Sequence, residues 1–123
     1  MKLRFRGNTL RLRVNRREVE ALAAGRRLEE QVFFPGGSYL SYALEQGGQP
    51  SADASFEKNT IRVSAPACEL RAWAADESIG LYFDLAAGEG TLRLMIEKDL
   101  ECVDGPPEEY DPDAFARPAS KSC

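Results

Sequence analysis

Phe5-Arg6-Gly7-Asn8-Thr9-Leu10-Arg11-Leu12 returns 51 positions later as Phe56-Glu57-Lys58-Asn59-Thr60-Ile61-Arg62-Val63. The same shift lays Glu18-Val19-Glu20-Ala21-Leu22-Ala23-Ala24 over Glu69-Leu70-Arg71-Ala72-Trp73-Ala74-Ala75. From residue 5 to residue 24 the identical positions are Phe5, Asn8, Thr9, Arg11, Glu18, Ala21, Ala23 and Ala24, eight of twenty and far above what unrelated sequences share. At a shift of 52, Leu40-Ser41-Tyr42-Ala43-Leu44-Glu45 lies over Leu92-Arg93-Leu94-Met95-Ile96-Glu97, so one residue has been inserted between. This pattern reads as a duplication, and two copies of one supersecondary unit usually bury their apolar faces against each other. A chain of 123 residues with 43% hydrophobic content supports one core. A repeat of about 45 residues is marginal by itself, so the halves are expected to share that core.

Within the first copy, Leu3 and Phe5 alternate with Lys2, Arg4 and Arg6; after Gly7-Asn8, Leu10, Leu12 and Val14 alternate with Arg11 and Arg13. Strict alternation around a Gly-Asn pair predicts a hairpin with a two-residue primed turn. Pairing Arg6 with Thr9 sets Phe5 opposite Leu10 and Leu3 opposite Leu12 on one face. The other face then carries Arg4 opposite Arg11 and Lys2 opposite Arg13. Like charges directly opposite are unfavourable, which calls for an anion over that face or for acidic flanking strands. Asn15 and Glu18 have capping-box spacing ahead of a short helix with Val19, Leu22 and Ala23 on one stripe, and Gly25 ends it. Strands follow over Leu28–Phe34 and Tyr39–Glu45, then a linker from Gln46 to Ser51. The second copy predicts strands over Ala54–Glu57 and Thr60–Ala65, a helix over Pro66–Ala75 with proline in its first turn, and strands over Ile79–Leu85 and Thr91–Lys98.

Residues 1–27 hold nine basic side chains against Glu18 and Glu20; the remaining seven basic residues face eighteen acids. Such asymmetry points to a polyanion-binding face with an acidic tail, or to two surfaces that neutralise each other. Lys2, Arg4, Arg6, Asn8, Arg11 and Arg13 are the candidate nucleic-acid-binding residues, the arginines and lysine on phosphates and Asn8 or Arg13 near base edges. The bland alternative is a solvated face neutralised by Glu29, Glu30, Glu45 or Glu97, or covered by the chain's own tail. That tail, residues 100–123, is rich in proline and acid and predicted to be extended or disordered. Its candidate partner-binding residues are Glu108, Glu109, Tyr110, Asp111, Asp113 and Phe115, acids flanking apolar anchors in the manner of a segment that folds on a protein partner.

Catalysis finds little support. The chain has no histidine, the commonest general base and metal ligand. Cys68, Cys102 and Cys123 lack zinc spacing, and no metal or cofactor is expected. Cys68 would occupy the first turn of the second helix, where a helix dipole can lower a thiol pKa, but a buried, inert role is expected for it. The glycine pairs lack the helix and lysine of a phosphate loop and read as turns; no small-molecule substrate is evident. No stretch reaches the roughly 20 apolar residues of a membrane span, and unpaired cysteines fit a reducing compartment, so a cytoplasmic protein is expected.

The Gly7-Asn8-Thr9 phrase, followed by Leu12-Arg13-Val14, a short Ala/Leu helix and a second hairpin, resembles the swapped-hairpin barrel of the AbrB and MazE family. Asn59-Thr60, Val63 and Pro66 keep the same pattern in the second copy. Two departures stand out: Asn15 occupies the usual proline position in copy one, and Ser64 replaces the arginine in copy two. The resemblance implies units that interleave into one barrel and bind DNA through basic hairpins. With both units on one chain it implies a fused pseudo-dimer equipped for DNA in one half only, and, as in MazE-type antitoxins, an acidic tail for a protein partner. The chain also resembles a group of small bacterial proteins of unknown function that begin Met-Lys-Leu-Arg-Phe-Arg-Gly-Asn and carry Glu97-Lys98-Asp99 before Cys102. Together these readings predict an α+β domain over residues 1–99, made of two tandem ββαββ repeats (1–46 and 52–99). The repeats share one eight-stranded, pseudo-twofold, barrel-like core with two short helices, followed by the acidic tail. The expected function is that of a non-enzymatic binding module whose partners are duplex DNA or a protein.

Overall fold

The structure, a computed structural model, describes residues 1–100 and 111–116. Among them are eight strands and two helices: β1 Lys2–Arg6, β2 Thr9–Val14, α1 Arg16–Ala23, β3 Leu28–Phe33, β4 Tyr39–Gly47, β5 Asp53–Glu57, β6 Thr60–Pro66, α2 Ala67–Ala75, β7 Gly80–Ala87 and β8 Gly90–Lys98. This is an α+β fold, with boundaries within two residues of the sequence expectation. The proline at position 66 ends β6 and precedes α2 instead of entering the helix.

The strands form two four-stranded sheets, ordered β1-β2-β8-β7 and β3-β4-β6-β5, which do not close into the single barrel expected from the sequence. The edge strands account for the open sides. Lys2, Arg4 and Arg6 on β1, Glu29 and Glu30 on β3, and Asp53 and Glu57 on β5 put charge where a further strand would have to pair. Each sheet takes one hairpin from each half of the chain, joined at its centre by a parallel pair, β2 with β8 and β4 with β6. The two parallel registers are equivalent: Thr9 lies beside Arg93, and Thr60 beside Ser41. Asn8 and Asn59, 51 positions apart in sequence, begin these ladders, their backbone oxygens accepting from Arg93 N at 3.0 Å and Ser41 N at 2.8 Å.

Inward-facing residues of both sheets and both helices gather in one hydrophobic cluster. Leu12, Leu22, Leu44, Val63, Leu70, Trp73, Leu94 and Ile96 are at most 1% exposed. Leu22 of α1 and Trp73 of α2, 51 positions apart in sequence, are both core residues. The indole of Trp73 donates to Ile79 O at 3.0 Å, so its polar end is satisfied inside the cluster. Helix α1 has the full capping box foreseen in sequence: Asn15 Oδ1 accepts from Glu18 N at 3.0 Å and Glu18 Oε1 from Asn15 N at 2.9 Å. It closes in a Schellman motif, with Gly25 at φ +87° and Arg26 N donating to Ala21 O.

Residues 111–116, expected to be part of an extended tail, dock at the N-terminal end of α1. Asn15 Nδ2 donates to Asp111 Oδ2 at 3.0 Å, Arg16 N to Asp113 O at 2.9 Å, and Phe115 N to Asp99 O at 2.8 Å. The Arg16 guanidinium lies 4.7 Å from the centre of the Phe115 ring. The reason is the unfilled end of the helix: free N–H groups and the positive end of the dipole accept a carboxylate and a carbonyl. Side-chain donation from Asn15, then the Asp113 backbone N–H, holds the Asp111 carboxyl below its ordinary 3.8. A depressed carboxylate stabilises docking fully above that value and releases it as pH falls through the lower folded value. Acidification below pH 3.8 should therefore detach the Asp111–Ala116 segment before the core melts, followed by the ring signals of Phe115 in NMR. Asn15→Ala should cost about 1 kcal/mol in denaturant unfolding, since it removes the cap and the Asp111 contact together.

Candidate nucleic-acid interface

On the outer side of the β1-β2-β8-β7 sheet, alternation and register arrange the side chains in rows. Lys2, Arg13, Glu97 and Gly80 form one row; Arg4, Arg11, Met95 and Tyr82 the next; Arg6, Thr9, Arg93 and Asp84 the third. The hairpin register foreseen in sequence, with Arg4 opposite Arg11 and Lys2 opposite Arg13, is present. Six cations thus share a face with two carboxylates, Glu97 and Asp84.

Part of the like-charge problem is solved within the chain. Glu97 Oε1 lies 3.1 Å from Arg11 Nε and 3.9 Å from Arg13 Nε, and Lys2 Nζ lies 2.9 Å from Asp99 Oδ2. Of the four acids named as neutralising candidates, only Glu97 sits on this face. Glu29 and Glu45 pair with Arg27, Glu45 also with Arg62, and Glu30 with the Met1 amine. Among the described residues Arg4, Arg6 and Arg93 form no ion pair. The described tail residues, 111–116, lie by α1 instead: Asp113 contacts Arg17 at 4.0 Å and Phe115 packs by Arg16. Glu108, Glu109 and Tyr110 lie outside the described residues.

Asn8, proposed above for base edges, spends its side-chain amide on Thr91 O at 2.8 Å, tying the first turn to the start of β8. Arg93, Met95 and Tyr82 join the site without having been picked from the sequence. Their own strands alternate plainly, but only the parallel pairing of β2 with β8 brings them beside the first hairpin. Tyr82 bends over Gly80 to donate from its hydroxyl to Glu97 Oε2 at 2.9 Å. Burial first, then that hydrogen bond, push its phenol above the ordinary 10.

The equivalent face of the other sheet is different. Asp53, Ser55 and Glu57 on β5, Thr60, Arg62 and Ser64 on β6, and Ser41, Ala43 and Glu45 on β4 leave it with one strand arginine and an excess of acid. Another correction concerns Cys68, which is exposed on α2: the buried residues of this helix are Leu70 and Trp73, and position 68 does not share their stripe. No group of acids and cysteines able to hold a metal occurs among the described residues, and no helix there is long and apolar enough to cross a membrane.

The chain belongs to the family described as "Family of unknown function (DUF7009)", which matches residues 1–119. No curated protein and no solved structure matches it.

A methyl group at Gly80 would stand 2.7 Å from the Tyr82 oxygen and 2.9 Å from Glu97 Cγ. Gly80→Ala should displace the flexible tyrosine, and the Tyr82 phenol should then titrate closer to 10, read from its ring carbons by NMR. An unmoved titration would mean that Glu97 does not hold the ring.

Proposed function

We propose that the chain is a non-enzymatic binding module whose outer β1-β2-β8-β7 face engages the phosphate backbone of duplex DNA. The observation that carries this is Arg4, Arg6 and Arg93 standing together on one face without a carboxylate partner among the described residues. A second comparison supports it: the equivalent positions on the other sheet are Ser55, Glu57 and Ser41. The frame can therefore be built without a cluster of cations, and the arginines are free to serve a ligand. Guanidinium groups suit that task, because they offer planar, paired donors to phosphate oxygens and stay charged at all relevant pH.

The architecture fits the same reading. We take the two halves to be a tandem duplication related by a pseudo-twofold axis, a fused pair resembling the AbrB and MazE swapped-hairpin unit. The exchange of hairpins between sheets and the equivalent parallel registers support this. Only one face carries the charge, so the module would meet DNA from one side and would not read a symmetric site. The alternative, a protein-interaction module working through its acidic tail, is less favoured, because Asp111, Asp113 and Phe115 are already engaged with α1 of their own chain.

Binding of the full chain to a short duplex should weaken steeply with salt. A slope of about −3 in log affinity against log salt corresponds to three neutralised phosphates. Arg4→Glu with Arg6→Glu should cut affinity at least about tenfold and reduce that slope by roughly 2, with thermal unfolding unchanged. No binding at low salt would refute the proposal.

A further inference from the structure

Thr9 is the smallest side chain in the middle of the basic face, with Arg6 and Arg93 beside it in its row and Arg4, Arg11 and Met95 in the next. Those six residues line a hollow of about 240 Å³. Among the described residues no carboxylate lines it. Four guanidinium groups around one small space repel one another, and Glu97 offsets only that of Arg11, whose Nε lies 3.1 Å from its Oε1 while one terminal nitrogen reaches the Met95 sulfur at 3.7 Å. The corresponding cell of the other sheet (Ser55, Glu57, Thr60, Arg62, Ser41, Ala43) holds one arginine and one glutamate. Nothing in the frame requires the cluster.

Resting on the proposal that this face binds phosphate, we infer that the hollow is a subsite for a terminal phosphate monoester. A bridging phosphate in a nucleic-acid chain offers one charge and two free oxygens. A terminal phosphate offers three oxygens and about −1.5 to −2 charge at neutral pH, the better match to four convergent arginines. Met95 supplies an apolar wall for the group that carries the phosphate. The same chemistry occurs at the 5′ end of a nucleic-acid strand and on a free nucleoside 5′-monophosphate.

The test compares the full chain on two duplexes of one sequence, one with 5′-phosphate and one with 5′-hydroxyl ends, at a single salt concentration. The phosphorylated duplex should bind about tenfold tighter. Arg93→Gln, and separately Arg6→Gln, should erase that preference, the two duplexes then binding equally and both more weakly than the hydroxyl duplex binds the unaltered chain, with melting unchanged. Displacement of the phosphorylated duplex by a nucleoside 5′-monophosphate, but not by the nucleoside, would assign the subsite to free nucleotides as well as strand ends. Equal affinity for the two duplexes would overturn the subsite and leave the face intact. If neither duplex binds, the DNA proposal falls, and calorimetry with the nucleoside monophosphate decides the hollow alone. Heat that disappears in Arg93→Gln would uphold the subsite, and no heat would overturn it.

Discussion

The rest of the structure depends on two parallel ladders, β2 against β8 and β4 against β6. Every other strand pair is a local antiparallel hairpin, which a short turn can form but which has too little apolar surface to be stable alone. The β4–β6 ladder joins hairpins that follow one another, but the β2–β8 ladder joins the two ends of the chain, and only then do Leu12, Val14, Leu94 and Ile96 lie side by side in a core they share with Val63 and Leu44. The cost of the β2–β8 ladder is loop closure over most of the chain, met before any long-range contact rewards it. The asparagines at the two turns matter for this reason. Asn8 starts one ladder through its backbone oxygen and clamps it through its side chain.

What was legible in the sequence was what neighbouring residues decide. Alternation set the register of the first hairpin down to Arg4 opposite Arg11, and the Asn15–Glu18 spacing set the cap of α1. The turns show how far such signals reach. Gly7 takes φ +53°, but at the β5–β6 turn Lys58 at +51° and Asn59 at +62° adopt the left-handed region without a glycine, held there by the strands on either side. The partner of an edge is not a local property. Nothing in Leu92-Arg93-Leu94-Met95 says which strand it adjoins, so Arg93 was missed as a member of the basic face. The docking of Asp111 and Phe115 was likewise hidden, because their composition alone describes a solvated segment, and only the free end of α1 gives them a place.

Lys98 shows how the docked segment bears on the core. The residue is 7% exposed, and its ammonium donates to Asp76 O at 2.7 Å and lies 5.7 Å from the Trp73 ring centre and 5.5 Å from that of Phe115. Burial lowers its pKa, as does Arg16, while Asp76 and Glu77 act the other way. A charge held between two aromatic faces links the end of β8 to α2 and to the segment beyond residue 110, so that three parts of the chain distant in sequence share one cation.

A tandem pair on a single chain, as proposed above, is free of a restriction that identical subunits cannot escape. In a symmetric pair built from one gene, an arginine gained on one face appears on the other, and so does any glutamate. Here Arg6 and Glu57 hold the same place in the frame with opposite charge, and so do Arg4 and Ser55 with charge in one and none in the other. The two sheets, each with a hairpin from either half, are thus free to differ, one outer face basic and the other acidic, and the molecule acquires a front and a back.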